Sequence, residues 1–298
     1  MAASKRESKA FAAGDRIHEW ILESPLGRGG SSEVWSARDM AGDRFALKIL
    51  VSQELSKIIR FVREVELMDA IRDRIAVPIY DVYLPGCADP PACYTMPIGD
   101  SLRSHLEDNE VNAADRVAIL AEVGDCLSAL HRRGLFHCDV KPGNIYLLAG
   151  RWVFGDFGLA IRKNLRLLAG PEELPGTREY TAPELYDQNI SNDTDWAACD
   201  SFSFGKTIWT VMTGRRRPPP GPHRRGDPKT ALKSVVGNRP GIRELDRLIR
   251  QAVAGHPSNR PTVAEITAGL REWHEAFADK TMPATDRARA LIPTIAAE

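Results

Sequence analysis

The segment HCDVKPGN at residues 137–144 holds the densest group of side chains that could do chemistry. Asp139 offers a carboxylate that could accept a proton, and Asn144 offers an amide oxygen that could bind a metal ion. Lys141 lies between them and supplies a positive charge for a transferring phosphate. These residue types favour phosphoryl transfer, although each residue alone is also compatible with a polar turn.

A second acidic candidate is Asp156, in the segment GDFG at residues 155–158. This aspartate follows the apolar run RWVF, at the point where a strand would end. A carboxylate there could bind a hard cation such as Mg²⁺ through oxygen. The alternative is again an ordinary polar turn.

Lys48 lies within the apolar run FALKIL at residues 45–50. Strand alternation puts Ala46 and Lys48 on the same face, so the lysine is expected among apolar neighbours. Such a lysine could hold phosphates if a carboxylate fixed its ammonium group, and Glu64 on the following helix is well placed. Glu66 points elsewhere on that helix. The competing interpretation is an exposed lysine on an edge strand.

A glycine-rich turn, LGRGGSSEVW, occupies residues 26–35. Gly27 and Gly29 would let backbone N–H groups approach phosphate oxygens without obstruction by side chains. The turn lacks the Gly-Lys-Ser/Thr ending of a P-loop, and a strand follows it where a Rossmann turn would have a helix. Taken alone, such a turn is most often only a connection between strands.

The elements that must position these residues fall into two regimes. Residues 17–49 contain short apolar runs broken by turns, which predict an antiparallel sheet. Residues 54–71 carry apolar side chains at helical spacing and predict one long amphipathic helix. The segments at 75–84 and 92–98 predict two further strands.

From Leu102 onward the patterns are helical, with predicted helices over 112–134, 201–214 and 263–277. Asn112 is the predicted cap of the first of these helices, and the second is apolar nearly all round, as a buried helix would be. The predicted fold class is α+β, with a small mainly-β lobe that has one long helix and a larger mainly-α lobe. The lobes are expected over about 15–96 and 100–277, between a flexible tail at 1–14 and a second tail at 278–298.

Composition limits the classes of partner. Lys plus Arg and Asp plus Glu both number 40, so no overall field favours nucleic acid or an anionic membrane. The five cysteines form no CxxC pair, which argues against a disulfide framework or a zinc site. The sequence contains no run of about 18 apolar residues, the length that would be needed to span a bilayer. We therefore expect a cytoplasmic protein with no membrane span and no nucleic-acid partner.

The motifs occur in an order that resembles the eukaryotic-type (Hanks-type) Ser/Thr protein kinase family: the glycine-rich turn, Lys48, Glu64, Asp139 with Lys141, Asn144 and Asp156. The resemblance runs from about Ile17 to about Phe277. It implies a bilobal protein-kinase-like fold and transfer of the γ-phosphate of MgATP to Ser or Thr of a protein substrate. Mn²⁺ is an alternative ion.

The resemblance also implies roles for individual residues. Lys48, paired with Glu64, would contact the ATP phosphates, Ala46 would pack on the adenine and Met96 would lie near the hinge. Asp139 would accept the proton of the substrate hydroxyl, assisted by Lys141. Asn144 and Asp156 would hold the metal ions. The implied nucleotide-binding set is Leu26, Gly27, Gly29, Val34, Ala46, Lys48, Met96, Asn144 and Asp156.

Further matches to the family lie downstream. Thr177, in the segment GTREYTAPE, would position the substrate by bonding toward Asp139 and Lys141. Lys141 together with that segment favours Ser/Thr over Tyr as acceptor. Three residues would be structural: Glu184 paired with Arg260, and Asp200 as the anchor of the catalytic loop.

Two departures from the family pattern matter. Ser32 stands where a third glycine is expected. Cys138 stands where many kinases have an arginine that pairs with a phosphate on the activation loop. Residues 157–175 contain no Ser, Thr or Tyr. We therefore expect activity that does not depend on phosphorylation of that segment. The segment could be ordered by Leu165, Leu167 and Leu168, by Glu172 or Glu173 with an arginine, or by a regulatory protein partner.

Other interpretations remain open from the sequence. A pseudokinase or nucleotide-binding scaffold would have lost one of the key residues, and none is lost. A small-molecule phosphotransferase would not need the GTREYTAPE segment or Arg260. Cys138 is either a small semi-buried filler or a redox-sensitive thiol, and the charge of Asp139 should lower its reactivity. The basic Pro-rich segment 215–229 is either a solvated loop or a docking element for acidic partners, nucleic acid or an aromatic groove.

Overall fold

The computed structural model describes residues 11–71, 75–85, 91–163, 177–186 and 194–281. The chain divides into two compact units. The first comprises Met1–Gly99 and Asp156–Gly158, and the second comprises Asp100–Gly155 and Leu159–Glu298. A mainly-β first unit and a mainly-α second unit confirm the predicted α+β fold class.

The first unit is built on an antiparallel six-stranded sheet, with strand order β1-β2-β3-β4-β6-β5. One long helix, α1 (Leu55–Ala70), follows β4 and confirms the predicted amphipathic helix. The strands are β1 (Arg16–Ile17), β2 (Trp20–Arg28), β3 (Ser32–Arg38), β4 (Arg44–Leu50), β5 (Val82–Tyr83) and β6 (Cys93–Met96).

The sheet has two chemically different faces because side chains alternate along each strand. One face carries an apolar cluster that includes Trp20, Leu22, Trp35, Leu47 and Ile49. The other face carries Lys48 and its cross-strand neighbour Tyr94. Helix α1 packs against that second face, where the rings of Phe61 and Tyr94 lie 5.4 Å apart.

The strand predicted over residues 75–84 is wrong for most of its length. Only Val82–Tyr83 pairs as a strand with β6. Pro78 has no N–H to donate to a ladder, which works against a continuous strand. The chain instead meets β6 through two bonds, from the Tyr80 N–H to the Thr95 carbonyl and from the Thr95 N–H to the Asp81 carbonyl.

Residues 11–14, which lie within the predicted N-terminal tail, are attached to the sheet. Phe11 packs against the apolar cluster, and the Gly14 N–H donates to the Leu22 carbonyl at 2.8 Å. At the other end, the last helix continues to Thr281, beyond the predicted limit at residue 277. The ammonium group of Lys280 lies 5.2 Å from the Phe277 ring centroid. Both ends are therefore longer than the apolar patterns alone indicate.

The second unit contains six helices and two small sheets within the described ranges. The helices are α2 (Leu102–Asp108), α3 (Ala113–Arg132), α4 (Trp196–Thr213), α5 (Leu232–Val236), α6 (Ile242–Ala252) and α7 (Val263–Thr281). The strands are β7 (Asp100–Ser101), β8 (Leu135–Phe136), β9 (Ile145–Leu148), β10 (Arg151–Phe154) and β11 (Ile161–Arg162). Short 3₁₀ turns occupy Pro142–Asn144, Pro183–Tyr186 and Pro257–Asn259.

Helix α3 begins and ends where the sequence predicts. The Asn112 side chain accepts the Asp115 N–H at 2.9 Å, which satisfies one of the unpaired donors of the first turn. Beyond the other end, Gly134 has a φ of +67°, a conformation that glycine adopts without strain. Within α3, a Cβ on Gly124 would lie 2.1 Å from Oγ1 of Thr267, so only glycine allows α7 to pack this closely.

None of the helices in the described ranges is long and apolar enough to cross a membrane.

Helix α4 is buried along almost its whole length, as its apolar sequence predicts. Asp200 and Lys206 are both fully buried on α4, so each needs partners that offset the loss of water. The Lys206 ammonium donates to the Pro219 carbonyl at 2.6 Å and also to the Gly221 carbonyl.

Burial lowers the pKa of Lys206 to about 7 from 10.5. Burial together with the charge of Lys206 lowers the pKa of the adjacent His223 to about 3. Between pH 7 and pH 10 the unfolded chain therefore binds more protons at Lys206 than the folded chain does. The free energy of unfolding should rise with pH over this window.

We predict that this rise disappears in Lys206→Met, because methionine does not titrate. From pH 7 to pH 9, the unfolding free energy of the wild type should gain about 2 kcal/mol relative to the variant. Urea unfolding of both proteins at the two pH values measures the difference. The contributions of the other titrating groups cancel because both proteins contain them. A difference that does not change with pH would mean that the two carbonyl groups keep the lysine protonated.

Candidate functional site

Lys48 lies at the centre of a buried ionic cluster in the first unit. Its Nζ is 2.6 Å from Oε1 of Glu64 and 3.0 Å from Oδ1 of Asp156. Strand β4 lies inside the sheet between β3 and β6, so the alternative of an exposed edge lysine is wrong. Glu66, the competing carboxylate, is exposed on α1.

Tyr94 is a member of this cluster that the sequence analysis missed. It lies directly opposite Lys48 in the pairing of β4 with β6, and its hydroxyl donates to Oε1 of Glu64 at 2.9 Å. The Lys48 ammonium is 5.9 Å from the centroid of the Tyr94 ring. Glu64 is thus fixed by two donors, one charged and one neutral. The register of the two strands was the signal that could have identified Tyr94.

The charges in this cluster depend on one another. Burial alone would lower the pKa of Lys48, but the carboxylates of Asp156 and Glu64 raise it well above its usual value. Burial raises the pKa of Glu64, and the Lys48 ammonium opposes that shift. The lysine therefore stays protonated in a site shielded from water, where a positive charge attracts phosphate oxygens strongly.

The glycine-rich turn joins β2 and β3 through only three residues, 29–31. The Gly29 N–H donates to the Ser32 carbonyl at 2.8 Å, which closes the turn. A Cβ on Gly27 or Gly30 would meet no other protein atom within 4 Å, so the backbone here is open on its surroundings. Such a backbone can approach an anion closely.

The remaining residues of the implied nucleotide-binding set lie on the same part of the sheet. The strand register pairs Gly27 with Val34, Val34 with Lys48, and Ala46 with Met96. Residues paired directly across strands share a face, so these side chains lie on the face of Lys48. Leu26 lies at an irregularity of the β2–β3 register and is half exposed.

In the second unit, the segment 139–144 brings Asp139, Lys141 and Asn144 into direct contact. The Lys141 ammonium is 2.5 Å from Oδ2 of Asp139, and the Asn144 amide donates to the same oxygen at 2.9 Å. Lys141 also donates to Oγ1 of Thr177 at 2.9 Å. The Thr177 N–H donates to Oδ1 of Asp139 at a longer distance, 3.3 Å.

The contacts with Asp139 orient Asn144, one of the two oxygen donors expected to hold a cation. The Asn144 amide donates to the carbonyl of Asp139 as well as to its carboxylate, so both donors of the amide face Asp139. Its carbonyl oxygen is the atom suited to a hard cation. Asp156 presents a partly exposed carboxylate beside Lys48. The described residues contain no group of three or more His, Cys, Asp or Glu side chains arranged to hold a metal.

Asp200 connects helix α4 to the segment that carries Asp139. Its carboxylate accepts the N–H of His137 and the N–H of Cys138, both at 2.8 Å. The Nε2 atom of His131 lies 2.9 Å from the same carboxylate. Cys138 has a φ of +61°, which costs energy for a residue with a side chain. The two hydrogen bonds that Asp200 accepts hold this strained turn in place.

Cys138 is buried, not semi-buried as the sequence suggested. Burial raises the pKa of its thiol well above the usual value, and Asp200 and Cys199 raise it further. Because the thiolate is the reactive form, this environment favours an inert thiol. The geometry agrees with the role of a small filler and not with a redox-sensitive cysteine.

Glu184 and Arg260 form a bidentate ion pair, with N–O distances of 2.5 and 2.8 Å. Arg260 also donates to the carbonyls of Ala198 and Ala254 and lies 4.9 Å from the Phe202 ring centroid. The Glu184 pair thus connects the segment after Thr181 to helix α4. Gly176 and the side chains suggested to order the activation segment lie outside the described residues: Leu165, Leu167, Leu168, Glu172 and Glu173.

The sheet with one long helix, the helical second unit and the motif-bearing segments define a protein-kinase-like fold. The family profile described as "Protein kinase domain" matches residues 20–269, and the chain belongs to that family.

Curated relatives agree with this assignment. The chain is similar to the probable serine/threonine-protein kinase PkwA of Thermomonospora curvata, with 30% identity over 268 residues that cover 87% of this chain and 35% of the relative. Serine/threonine-protein kinase PkaA of Streptomyces coelicolor is 27% identical, covering 85% and 49%. Serine/threonine-protein kinase PknB of Mycobacterium tuberculosis is 30% identical, covering 84% and 42%. The chain thus spans about a third to a half of the length of these relatives.

We predict that Asp200→Asn destabilises the protein by about 2–3 kcal/mol, because an amide cannot replace a carboxylate that accepts several hydrogen bonds. The free energy of unfolding in urea measures this loss. Asp125→Asn is the matched control. It removes a charge from a half-exposed pair with Arg271 and should cost less than about 0.5 kcal/mol. Equal losses in the two variants would contradict the anchoring role of Asp200.

Proposed function

We propose that this chain is a MgATP-dependent Ser/Thr protein kinase. One observation carries the proposal: the Asp139 carboxylate is in contact with Lys141, Asn144 and the backbone of Thr177 at once. A general base, a cation for the transferring phosphate and an oxygen ligand for a metal are thus assembled on one loop. Membership of the protein kinase family gives this arrangement its interpretation.

The two oxygens of Asp139 have different surroundings, which suggests different tasks. Oδ2 accepts from Lys141 and Asn144, whereas Oδ1 has only the long bond from the Thr177 N–H. Oδ1 is therefore the oxygen better able to take the proton of a substrate hydroxyl. Lys141, already bonded to Thr177, would neutralise charge on the transferring phosphate.

The first unit would bind the nucleotide. The open backbone at Gly27 and Gly30 and the protonated Lys48 suit the phosphates of ATP, whereas the Gly29 N–H closes the turn. Val34, Ala46 and Met96 offer apolar surface for the base. Asp156 and Asn144 are the proposed oxygen ligands of Mg²⁺, with Mn²⁺ as an alternative. When bound, the metal would neutralise phosphate charge.

A protein acceptor with Ser or Thr fits better than a small molecule. Thr177 and the segment that follows it are tied to Lys141 on one side and to helix α4 on the other, through the Tyr180 hydroxyl and Thr210. Such a fixed segment next to the base suits an extended peptide. The serine/threonine-kinase names of the relatives support the same choice.

The direct test is transfer of labelled phosphate from ATP, with Mg²⁺, to the protein itself and to a generic basic protein. Asp139→Asn should lower the rate by about 10³-fold, because it removes the base while conserving shape. Asp115→Asn is the control and should leave the rate unchanged, since Asp115 lies in the first turn of α3. Label on Ser or Thr that does not depend on Asp139 would contradict the proposal. Bound ATP without transfer would favour a pseudokinase.

We also propose that activity does not require phosphorylation of the activation segment. Cys138 offers no cation for a loop phosphate, and residues 157–175 contain no acceptor. The nearest Ser or Thr residues that follow in the chain have structural partners: Thr177 accepts from Lys141, and the buried Thr181 donates to the Thr177 carbonyl at 3.2 Å. A phosphate on either threonine would displace these contacts.

Phosphatase treatment before the assay should therefore leave the initial rate within about twofold, far less than the change of several powers of ten typical of phosphate-ordered switches. Mass spectrometry before and after treatment shows whether Thr177 or Thr181 carried phosphate. If phosphate on either threonine raises the rate about tenfold or more, the proposal of phosphorylation-independent activity is wrong.

A further inference from the structure

The loop at residues 215–229 is the most strongly charged segment that the proposed function leaves unexplained. It contains six Arg or Lys residues and one Asp, in a chain whose formal net charge is zero. It forms no helix or strand, as its prolines predict. A solvated charge run would need no defined conformation, so the contacts of the loop decide how it should be interpreted.

Helix α4 holds this basic loop in a defined conformation. The buried Lys206 ammonium donates to the carbonyls of Pro219 and Gly221, two residues of the loop itself. Just beyond the loop, the Thr230 carbonyl accepts from the Trp209 indole at 2.7 Å. The buried side chains of Lys206 and Trp209 thus hold the loop on helix α4, and its exposed arginine side chains project from this anchored backbone.

The basic loop lines an open cavity of about 470 Å³ together with residues of α4 and α5. Trp209, Pro218, Pro219 and Val235 provide apolar walls. Pro228, Ser234 and the basic residues Arg215, Arg217 and Lys229 complete the lining. A cavity lined by both apolar and basic residues suits an occupant that is compact and negatively charged.

One carboxylate of the chain already binds at this lining. Arg217 Nη1 lies 2.9 Å from Oε1 of Glu179. Glu179 is two residues beyond Thr177, whose hydroxyl accepts from Lys141. The basic loop is therefore connected through a short stretch of chain to the loop that carries Asp139. Among the described residues, Arg215 and Lys229 have no ion-pair partner, so two cations of the lining remain available.

From this arrangement we propose that the cavity lined by Arg215, Arg217 and Lys229 binds an acidic segment of the protein substrate. A peptide whose hydroxyl lies at Asp139 would extend past Glu179, and its own Asp or Glu side chains would pair with the two available cations. This inference rests on the proposed kinase function and deepens it by naming the substrate class: proteins with acidic residues close to the acceptor Ser or Thr.

Charge and shape favour a peptide over a nucleic acid. Nucleic-acid binding relies on many phosphate contacts along an extended basic track. Here the three lining cations surround a single cavity, and the whole chain is not basic. Apolar walls with a few charged groups are typical of sites that bind side chains. The Arg217–Glu179 pair shows a carboxylate as one ligand of the lining.

The test uses two matched peptides with one acceptor Ser, one carrying flanking Glu residues and the other Gln at the same positions. Binding is measured by fluorescence anisotropy to full-length Asp139→Asn, and KM is measured with the wild type. We expect the Glu peptide to bind about tenfold more tightly and to have a correspondingly lower KM, the scale of one or two strong ion pairs.

The variant Arg215→Ala with Lys229→Ala should remove this preference and leave the contact between Arg217 and Glu179 in place. Arg224→Ala with Arg225→Ala is the matched control, because these arginines belong to the same loop and do not line the cavity. The control should keep the preference. Phosphorylation of the generic basic protein should be unchanged in the Arg224→Ala with Arg225→Ala control.

Equal KM values for the Glu and Gln peptides, or equal losses in the two double variants, would overturn the inference. A further contrary result is a single-stranded oligonucleotide that binds the wild-type protein as tightly as the Glu peptide and displaces it. If that binding were lost in Arg215→Ala with Lys229→Ala, the cavity would be a nucleic-acid site and the inference would be overturned. Failure of the kinase function gives a different pattern: no transfer to any protein, with tight and cavity-dependent binding of the Glu peptide intact. That pattern would contradict the proposed function and support the cavity as an acidic-peptide site.

Discussion

The second unit depends on a single carboxylate with no exposure to solvent, Asp200 in helix α4. A buried carboxylate is costly unless hydrogen bonds replace its water, and Asp200 receives them from the backbone of His137 and Cys138. The same two bonds force Cys138 into a left-handed conformation that only a rigid surrounding sustains. Asp139 follows this turn directly and contacts Lys141 and Asn144. Burial of one charge in a helix thus sets the geometry of the proposed base.

The first unit also depends on a buried charge that needs partners, but here the buried group is a cation. Lys48 is a buried cation, and the carboxylates that keep it protonated come from α1 and from the segment Asp156–Gly158. Removing either carboxylate would leave an imperfectly paired charge in a site with little water. The arrangement therefore links helix, strand and loop through electrostatics as well as packing. Any displacement of α1 would directly change the ion pair between Glu64 and Lys48.

Much of this fold could be predicted from local patterns. The cap at Asn112 and the buried helix α4 follow from periodicity and spacing, because each depends on neighbours along one element. The pairing of Lys48 with Glu64 joins β4 to α1, and the order of motifs that resembles the protein kinase family indicated it. Tyr94 was missed since its contact with Glu64 depends on the register between strands, which no local pattern encodes. The prediction of a strand over 75–84 was wrong for most of its length, because apolar composition does not distinguish a strand from an extended connection.

The cavity beside α4 was also beyond local patterns, because it needs contacts between residues far apart in the chain, such as Lys206 with Pro219. In the proposed kinase, Asp200 controls phosphoryl transfer by fixing the loop of Asp139 and does not act on the nucleotide. The ATP dissociation constant and the kcat of Asp200→Asn test this role. We predict a kcat lowered by about 10²-fold with a dissociation constant within about threefold of the wild type. An unchanged kcat in a folded, ATP-binding variant would show that phosphoryl transfer does not depend on Asp200.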